Sequence, residues 1–300
     1  MVDTIIEGSN QKRTYVTLLV SDGYLPGILV LAYSLRVVGS RYPFLVIATP
    51  NISQTVFAAL DKQDVKYKIV EPITYTFLVR PLSLRDSSLG RVPKIDSRFL
   101  MTYTKLRIWE LVEFDKMVFI DGDMLVCSNI DDLFDKQVWS AVNAGGELLA
   151  FRHWVDLNSG LMVIEPDKAL FSDMMGKINM LHFKDYGDQG FLHTYFPEWP
   201  KRKELHLPHG YNMAVGHIDS YVKELGYGWP YSSASEEKKV KALHYWGKDK
   251  PWVIPLDKMN LQLANEKPYY FESMMLWYQH YCELMSNFGS IPRMLRHYHS

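Results

Sequence analysis

VFIDGDM, residues 118–124, joins an apolar run directly to two carboxylates that one small residue separates. On extended backbone, side chains two positions apart point to the same side, so Asp121 and Asp123 can face one ligand together. Two hard oxygen donors of this kind hold a divalent cation, which can in turn hold a diphosphate. The alternative is a chance pair in a turn or a helix cap. The apolar run favours the functional interpretation, because ligands of parallel sheets bind beyond the carboxyl ends of the strands.

The chain before this stretch alternates between strand and helix patterns. Pro26 suits a first helical turn, Gly39 suits a helix end, and Ser53 can cap the next helix. The patterns predict strands over residues 15–20, 44–48 and 66–70, and helices over residues 25–38 and 54–63. Such alternation is typical of an α/β fold in which helices cover both faces of a parallel sheet.

The rest of the chain continues in the same way after one irregular segment, residues 72–97, which we expect to form a long loop or lid. The patterns predict strands over residues 117–120, 160–165 and 241–245, and helices over residues 106–112, 129–134, 166–181 and 188–195. A long helix is predicted from Pro268 to about Gly289. Its apolar positions recur at helical spacing and are expected to face the core, a partner-binding face being the alternative: Phe271, Met274, Met275, Tyr278, Cys282 and Met285.

The composition excludes several classes of protein. Of the 300 residues, 47% are hydrophobic and 22% are charged, as in ordinary globular domains. A net charge of -1 gives no general attraction to nucleic acid or to acidic membranes, and no apolar run approaches the ~18 residues of a membrane span. Cys127 and Cys282 form neither a disulfide framework nor a CxxC pair, and residues 1–13 lack the layout of a signal peptide. These features predict a cytoplasmic protein, with the nucleus or the cytosol of a host as alternatives.

A second candidate segment is HYWGKDKPW, residues 244–252. His244 could complete a set of two oxygen ligands and one nitrogen ligand, which Mn²⁺ accepts well. Gly247 permits close approach of a ligand to the backbone, and Lys250 offers a point charge for a departing diphosphate. The alternative is a buried histidine beside a turn. Because GxGxxG, Walker, HExxH and GxSxG motifs are all absent, a nucleotide would have to be held by a metal and by individual side chains.

Two further clusters are dense in amide and carboxylate groups, which match the paired hydroxyls of a sugar because they donate and accept hydrogen bonds. Both clusters adjoin predicted elements of the sheet, and helix capping or turn formation is the alternative role. The first cluster contains Asn158 and Ser159, and the second contains Asp185, Asp188 and Gln189.

Taken together and in this order, segments between residues 14 and 252 resemble glycosyltransferase family 8, in its glycogenin and galactinol synthase branch. The segments are YVTLLVSDGYLPG, TYTKLRIWELVEFDKMVFIDGDM, NIDDLFD, LNSGLMVIEP, DQGFL, LPHGYN and HYWGKDKPW. The resemblance implies a GT-A fold with a Rossmann-like, mostly parallel central sheet over residues 1–260, and a helical extension over residues 261–300 that packs on it. It also implies a UDP-hexose donor, Mn²⁺ as cofactor with Mg²⁺ as the alternative ion, and transfer with retention of anomeric configuration.

The resemblance also assigns residue roles. Positions matching the family's uridine contacts are Leu18, Ser21 and Tyr24, with Tyr24 placed to stack on the base. The metal ligands would be Asp121, Asp123 and His244, with Gly122 near the ribose and Gly247 and Lys250 on the phosphates. The donor sugar would be held by Lys105, Asn158, Ser159, Asp185, Asp188 and Gln189, of which Lys105, Asp188 and Gln189 are the candidate catalytic residues.

These features predict a Mn²⁺-dependent retaining transferase that moves glucose or galactose from UDP-glucose or UDP-galactose to a small polyol or sugar. A glycogenin-like self-glucosylating primer is the alternative, with Tyr221, Tyr227 and Tyr231 in the region of the acceptor tyrosine. A binding protein that keeps the fold without catalysis ranks last. The acceptor pocket is expected to involve residues 72–97 and the region after residue 211, and a homodimer is common in the family.

Overall fold

The computed structural model describes residues 11–73, 101–178, 187–229 and 234–288. The predicted loop over residues 72–97 therefore lies almost wholly outside the described residues, as do Asp185 and Tyr231. The nine strands of the described residues are β1 (Arg13–Leu19), β2 (Phe44–Ala48), β3 (Lys66–Ile69), β4 (Lys116–Ile120), β5 (Met124–Val126), β6 (Ala141–Asn143), β7 (Leu157–Ile164), β8 (Met213–Ala214) and β9 (Ala242–His244).

Six strands form the central sheet in the order β3-β2-β1-β4-β7-β6. The first four strands are parallel, whereas β7 runs antiparallel to β4 and β6 antiparallel to β7. The antiparallel pairing of β7 brings its beginning to the edge of the sheet where β4 ends, with Ile120 opposite Leu161. The residues that follow β1 and β4 and those that begin β7 therefore meet at one edge.

The helices of the described residues flank this sheet and end in a short helix followed by a long one. They are α1 (Leu25–Val37), α2 (Gln54–Lys62), α3 (Lys168–Lys177), α4 (Gly187–Tyr195), α5 (Ile218–Leu225), α6 (Leu261–Glu266) and α7 (Pro268–Phe288). Residues 106–112, predicted to be helical, lie within and just beyond a 3₁₀ helix, Tyr103–Glu110. No helix in the described part of the chain is both long and apolar enough to cross a membrane.

A second, three-stranded sheet in the order β5-β9-β8 lies directly beyond β4. In this sheet β5 and β9 are antiparallel and Met124 is paired with His244. The pairing fixes a histidine from late in the chain beside the carboxylate of residue 123. The small sheet therefore contributes His244, whereas the two carboxylates follow a strand of the central sheet.

The C-terminal helix α7 packs on α1 and α5, but its buried stripe differs from the predicted one. Met274, Trp277 and Leu284 are fully buried, at spacings close to the helical repeat. Met275 is 41% exposed and Cys282 is exposed, so their prediction as core residues is wrong. The predicted stripe and the observed buried stripe both have helical spacing. The sequence alone does not show which of the two faces packs against α1. The division of the chain into a catalytic domain over residues 1–260 and a helical extension over residues 261–300 stays a prediction.

Candidate active site

The paired carboxylates follow β4 in a tight turn. The backbone N–H of Asp121 donates to the Gly160 carbonyl at 2.8 Å, which ties the end of β4 to β7. The N–H of Met124 then donates to the Asp121 carbonyl at 3.1 Å, which closes the turn before β5 begins. Asp123 is only 8% exposed. The turn therefore holds two carboxylates at the edge where β1, β4 and β7 meet.

The third predicted ligand, His244, lies against both carboxylates. Its Nε2 is 3.2 Å from Oδ1 of Asp123 and 3.9 Å from Oδ2 of Asp121. One ligand atom from each of the three residues lies within 4.8 Å of the others. Ligands at about 2.0–2.6 Å from one cation lie within about 5 Å of one another, so this donor set fits a divalent ion. Two carboxylate oxygens and an imidazole nitrogen suit Mn²⁺ by their chemistry.

A chain of hydrogen bonds fixes which nitrogen of His244 faces the carboxylates. Oδ1 of Asn158 accepts two hydrogen bonds, one from the backbone N–H of Gly160 at 2.8 Å and one from Nδ2 of Asn212 at 2.9 Å. The amide oxygen of Asn212 is thereby turned toward Nδ1 of His244, 2.8 Å away. Because an amide oxygen only accepts, Nδ1 carries the hydrogen and Nε2 keeps its lone pair. Asn212 is 3% exposed, so water does not compete for this contact.

Lys105 lies on the other side of Asp121 and is 4% exposed. Its Nζ is 3.1 Å from Oδ1 of Asp121 and 2.6 Å from Oδ2 of Asp188, and it donates to the Ser159 carbonyl at 3.1 Å. Burial alone would lower the pKa of Lys105, but the two carboxylates raise it above its ordinary value. The ring of Phe119 lies 4.6 Å from the ammonium group. The lysine is therefore a fixed cation.

The pKa values of the two carboxyls move in opposite directions. The pKa of Asp121 is raised by burial and by Asp123, against the effect of Lys105. Burial would also raise the pKa of Asp123, but Lys250, and His244 when its imidazole is protonated, lower it below its ordinary value. Asp123 is thus the more strongly ionised member of the pair.

Lys250 connects the carboxylates to the aromatic residue predicted to stack on the base. Its Nζ donates to the Asp123 carboxylate and to the Tyr245 carbonyl, the latter at 2.7 Å. The same atom lies 5.8 Å from the centre of the Tyr24 ring. Tyr24 packs edge-on against Trp252 with ring centres 5.7 Å apart. These contacts bring two residues assigned to the nucleotide beside Asp123.

The residues predicted to hold the sugar meet where β7 and α4 begin. The side-chain oxygen of Gln189 accepts the backbone N–H of Ser159 at 3.2 Å. The backbone N–H of Asp188 donates to Oγ1 of Thr102 at 3.2 Å, while its carboxylate pairs with Lys105. Asp188 and Gln189 therefore lie beside the metal-ligand group across Lys105 and β7.

The remaining predicted positions are less closely tied to this group. Leu18 is half-buried in β1, and Oγ of Ser21 accepts the N–H of Gly23 at 3.4 Å. Gly122 lies over α1, because a Cβ added there would come within 2.5 Å of Ile28 Cδ1. Gly247 has a φ of +89°, a conformation that favours glycine.

Two residues of the site were missed by the sequence reasoning. Asn212 orients His244, and Gly160 lies so close to the imidazole that an added Cβ would be 2.7 Å from Cε1 of His244. Both occur in segments that carry the family resemblance, LPHGYN and LNSGLMVIEP. The family resemblance of these segments could have singled out both residues. Their contacts with His244 could not be predicted, because they join residues far apart in the chain.

Comparisons with known proteins agree with this architecture. The model of the family described as glycosyl transferase family 8 matches residues 15–254. Glycogenin-1 from Homo sapiens is 31% identical over 260 residues, which cover 85% of this chain and 66% of that protein. Galactinol synthase 1 from Solanum lycopersicum is 28% identical over 257 residues, which cover 79% of this chain and 73% of that protein. The chain thus spans about two thirds of the length of these relatives.

A solved structure shows the same fold. The galactosyltransferase LgtC, in complex with donor and acceptor sugar analogues, superposes with a TM-score of 0.59 at 16% identity. The match covers 93% of this chain and 98% of that chain. The fold is GT-A, as expected. With a family match over most of its length and a relative more than 30% identical, the chain belongs to glycosyl transferase family 8, in the branch of the glycogenins and galactinol synthases.

Proposed function

We propose that this protein is a retaining glycosyltransferase that moves glucose or galactose from a UDP-sugar to a hydroxyl acceptor in the presence of Mn²⁺. The observation that carries the proposal is the group of Asp121, Asp123 and His244, whose donor atoms lie within 4.8 Å of one another. A divalent cation bound there would offset the negative charge of the donor's diphosphate. Mg²⁺ is the alternative ion.

The protein's own side chains would supply the other interactions with the donor. Lys250 is already held at Asp123, so its ammonium group can donate to a diphosphate oxygen beside that carboxylate. Tyr24 offers a ring to the uracil base, and Lys105 carries a fixed charge toward the sugar. Because these groups are preorganised, they need little rearrangement as the bond between sugar and diphosphate breaks.

Retention by double displacement would need an enzyme nucleophile, and Asp188 and Gln189 are the candidates for that role. Asp188 is ion-paired with Lys105 at 2.6 Å, and the oxygen of Gln189 accepts the Ser159 N–H at 3.2 Å. A carboxylate in a strong ion pair and a neutral amide are both poor nucleophiles. We therefore favour attack by the acceptor hydroxyl on the face from which UDP leaves. The C–O bond to UDP breaks, the C–O bond to the acceptor forms, and the acceptor proton passes to a diphosphate oxygen.

The test is UDP release from UDP-glucose and from UDP-galactose in the presence of Mn²⁺, followed with a coupled assay. One donor should yield UDP, if only by slow hydrolysis. Asp123→Asn should lose about 10³-fold in rate, because metal binding supplies several kcal/mol of charge stabilisation. Asp257→Asn, at an exposed position of the chain, is the matched control and should retain the wild-type rate. Equal rates in the two variants would reject the proposed site.

A self-glucosylating primer is the second candidate, and two of its predicted acceptor tyrosines are poorly placed for that role. Tyr221 and Tyr227 are each 2% exposed. The Tyr221 hydroxyl accepts the backbone N–H of Glu147 at 3.1 Å, and the Tyr227 hydroxyl donates to the Glu147 carboxylate. Intact-mass measurement after incubation with donor distinguishes the candidates. An unchanged mass supports transfer to a separate acceptor, and a ladder of hexose additions supports the primer.

Two further expectations concern the state of the protein in the cell. Cys127 and Cys282 are both free thiols, which supports a reducing, cytoplasmic environment. A homodimer is expected from the family resemblance. Light scattering after gel filtration measures the mass in solution and decides between monomer and dimer.

A further inference from the structure

The loop between β6 and β7 presents large apolar side chains to solvent. Leu149 is 75% exposed, Phe151 38% and Trp154 37%. A fourth exposed side chain, Trp246 at 55%, follows β9. Most exposed large apolar residues elsewhere in the described residues are scattered singly, whereas these belong to one region of the surface.

Ring contacts connect Phe151 and Trp246 in a row through His217. The rings of Phe151 and His217 have centres 5.0 Å apart, and those of His217 and Trp246 have centres 6.2 Å apart. On the other side of the loop, Trp154 lies edge-on to His193 with ring centres 6.4 Å apart. We name Phe151, Trp154, His217 and Trp246 the aromatic shelf.

Both ends of the aromatic shelf reach elements of the candidate active site. Trp246 follows His244 by two residues, and the intervening Tyr245 donates its N–H to the Asp123 carbonyl at 2.9 Å. At the other end, Nε2 of His193 lies 2.7 Å from the Leu157 carbonyl at the start of β7. His193 belongs to α4, the helix that carries Asp188 and Gln189. The shelf therefore adjoins β9 through Trp246 and α4 through Trp154, and these two elements carry His244 and Asp188.

The loop that carries the shelf is held in shape by its own backbone. Ala144 and Gly145 donate their N–H groups to the carbonyls of Asp156 and Trp154, each at 2.8 Å. Trp154 in turn donates to the Phe151 carbonyl at 2.9 Å. An added Cβ at Gly145 would lie 2.0 Å from the Phe151 carbonyl oxygen, so only glycine permits this closure. The exposed rings are thus presented before any ligand arrives.

We propose that the aromatic shelf binds the acceptor and that the acceptor is an oligosaccharide with at least two pyranose rings. This inference rests on the proposed function and narrows its acceptor. Aromatic faces stack on the C–H faces of sugar rings and leave the hydroxyls in water, which suits half-exposed rings. A row of three rings, Phe151, His217 and Trp246, offers more surface than one sugar ring can cover. A small polyol such as inositol would leave most of it unused.

The composition of the surface favours a glycan over a lipid or a protein partner. The loop intersperses its rings with exposed Arg152 and His153, which suit the hydroxyls of a sugar better than acyl chains. Trp246 also follows the metal-ligand candidate His244 by two residues, and Trp154 contacts His193 of the helix that carries Asp188. A glycan lying along the shelf would extend from the position where its terminal hydroxyl meets the donor.

Saturation-transfer NMR with maltotriose, cellotriose and lactotriose tests the proposal in the presence of UDP and Mn²⁺. At least one of these probes should show contact with the wild-type protein. Phe151→Ala and Trp246→Ala should each weaken its binding about tenfold, the effect of losing one stacked ring. Leu261→Ala removes an 83% exposed apolar side chain from α6 and should bind like the wild type. Because the truncated side chains are exposed, the melting temperature should report an intact fold in every variant.

Three outcomes would overturn the proposal: no contact with any probe, equal binding by the shelf variants and the control, or binding of phosphatidylcholine vesicles that the shelf variants abolish. The donor is tested separately. If UDP and Mn²⁺ fail to raise the melting temperature of the wild type, the proposed function fails, whatever the oligosaccharides show.

Discussion

The amide oxygen of Asn212 lies 2.8 Å from Nδ1 of His244, and this contact leaves Nε2 of the imidazole free to face Asp123 at 3.2 Å. The asparagine comes from the segment just before β8 and the histidine from the end of β9. The parallel pairing of these strands, with Ala214 opposite His244, sets the two side chains together. Asn212 is therefore a positioning residue for a ligand of the metal rather than a ligand itself.

Replacement of Asn212 should weaken metal binding without removing a ligand. We expect Asn212→Leu to lower the affinity for Mn²⁺ about 10–100-fold, because the imidazole loses the partner that fixes its tautomer and orientation. Asn212→Asp keeps an acceptor for the Nδ1 hydrogen and should recover part of the affinity. Calorimetric titration with Mn²⁺ measures both, and Asn265→Leu at an exposed position of α6 is the control. Equal affinities for the leucine variant and the control would contradict the assigned role.

Gly160→Ala should damage the same ligand by steric contact. The added Cβ would lie 2.7 Å from Cε1 and 3.0 Å from Nδ1 of His244, so the imidazole would have to move. We expect weaker Mn²⁺ binding and a lower rate of UDP release. Gly176→Ala in α3 places its Cβ in open space and should bind Mn²⁺ normally. Normal binding by both variants would show that the imidazole is not needed for the ion.

Lys105→Met should destabilise the protein at neutral pH. The substitution leaves the carboxylates of Asp121 and Asp188 without the cation that lies 3.1 Å and 2.6 Å from them. Breaking a buried ion pair of this kind costs about 3–5 kcal/mol in the free energy of unfolding. Urea unfolding at pH 7 measures this loss, with Lys62→Met on the exposed side of α2 as the control. A loss no larger than that of the control would mean that other groups neutralise the carboxylates.

His209 gives the protein a specific sensitivity to acid. The residue is 8% exposed and stacks on Tyr221, with ring centres 4.4 Å apart. Neither ring nitrogen has a hydrogen-bond partner within the described part of the chain. Burial lowers the pKa of His209 from 6.5 to about 4, while Glu147 raises it, and Lys238 and His217 lower it. The folded protein therefore keeps this imidazole neutral where the unfolded chain already binds a proton.

The sign of the effect follows from this lowered pKa. The contribution of His209 to stability is fully present above pH 6.5 and falls as pH drops toward 4, by up to about 1.4 kcal/mol per pH unit. His209→Phe should reduce the slope of unfolding free energy between pH 6.5 and 4.5. Exposed His153→Phe should leave it unchanged. Denaturant unfolding across this range measures both, and identical slopes would mean that His209 is protonated in the folded state.

The parallel part of the sheet and the position of the carboxylates could be predicted from the sequence. Hydrophobic periodicity and the apolar run before Asp121 are local signals, so no tertiary information was needed. It did not reveal that β7 is antiparallel to β4, since a buried strand has the same pattern in either direction. The ion pair of Lys250 with Asp123 also depends on tertiary structure, because it joins residues 127 positions apart. The aromatic shelf was missed because exposed rings on a loop have no periodicity.

The central claim is that Asp121, Asp123 and His244 bind one divalent cation, which holds the diphosphate of the donor. Anomalous diffraction from a crystal soaked with Mn²⁺ and UDP tests it most directly. We expect a single strong manganese peak about 2.0–2.6 Å from one atom of each of these side chains, with diphosphate oxygens completing the coordination. A manganese ion bound elsewhere, with these three side chains apart and UDP in place, would contradict it.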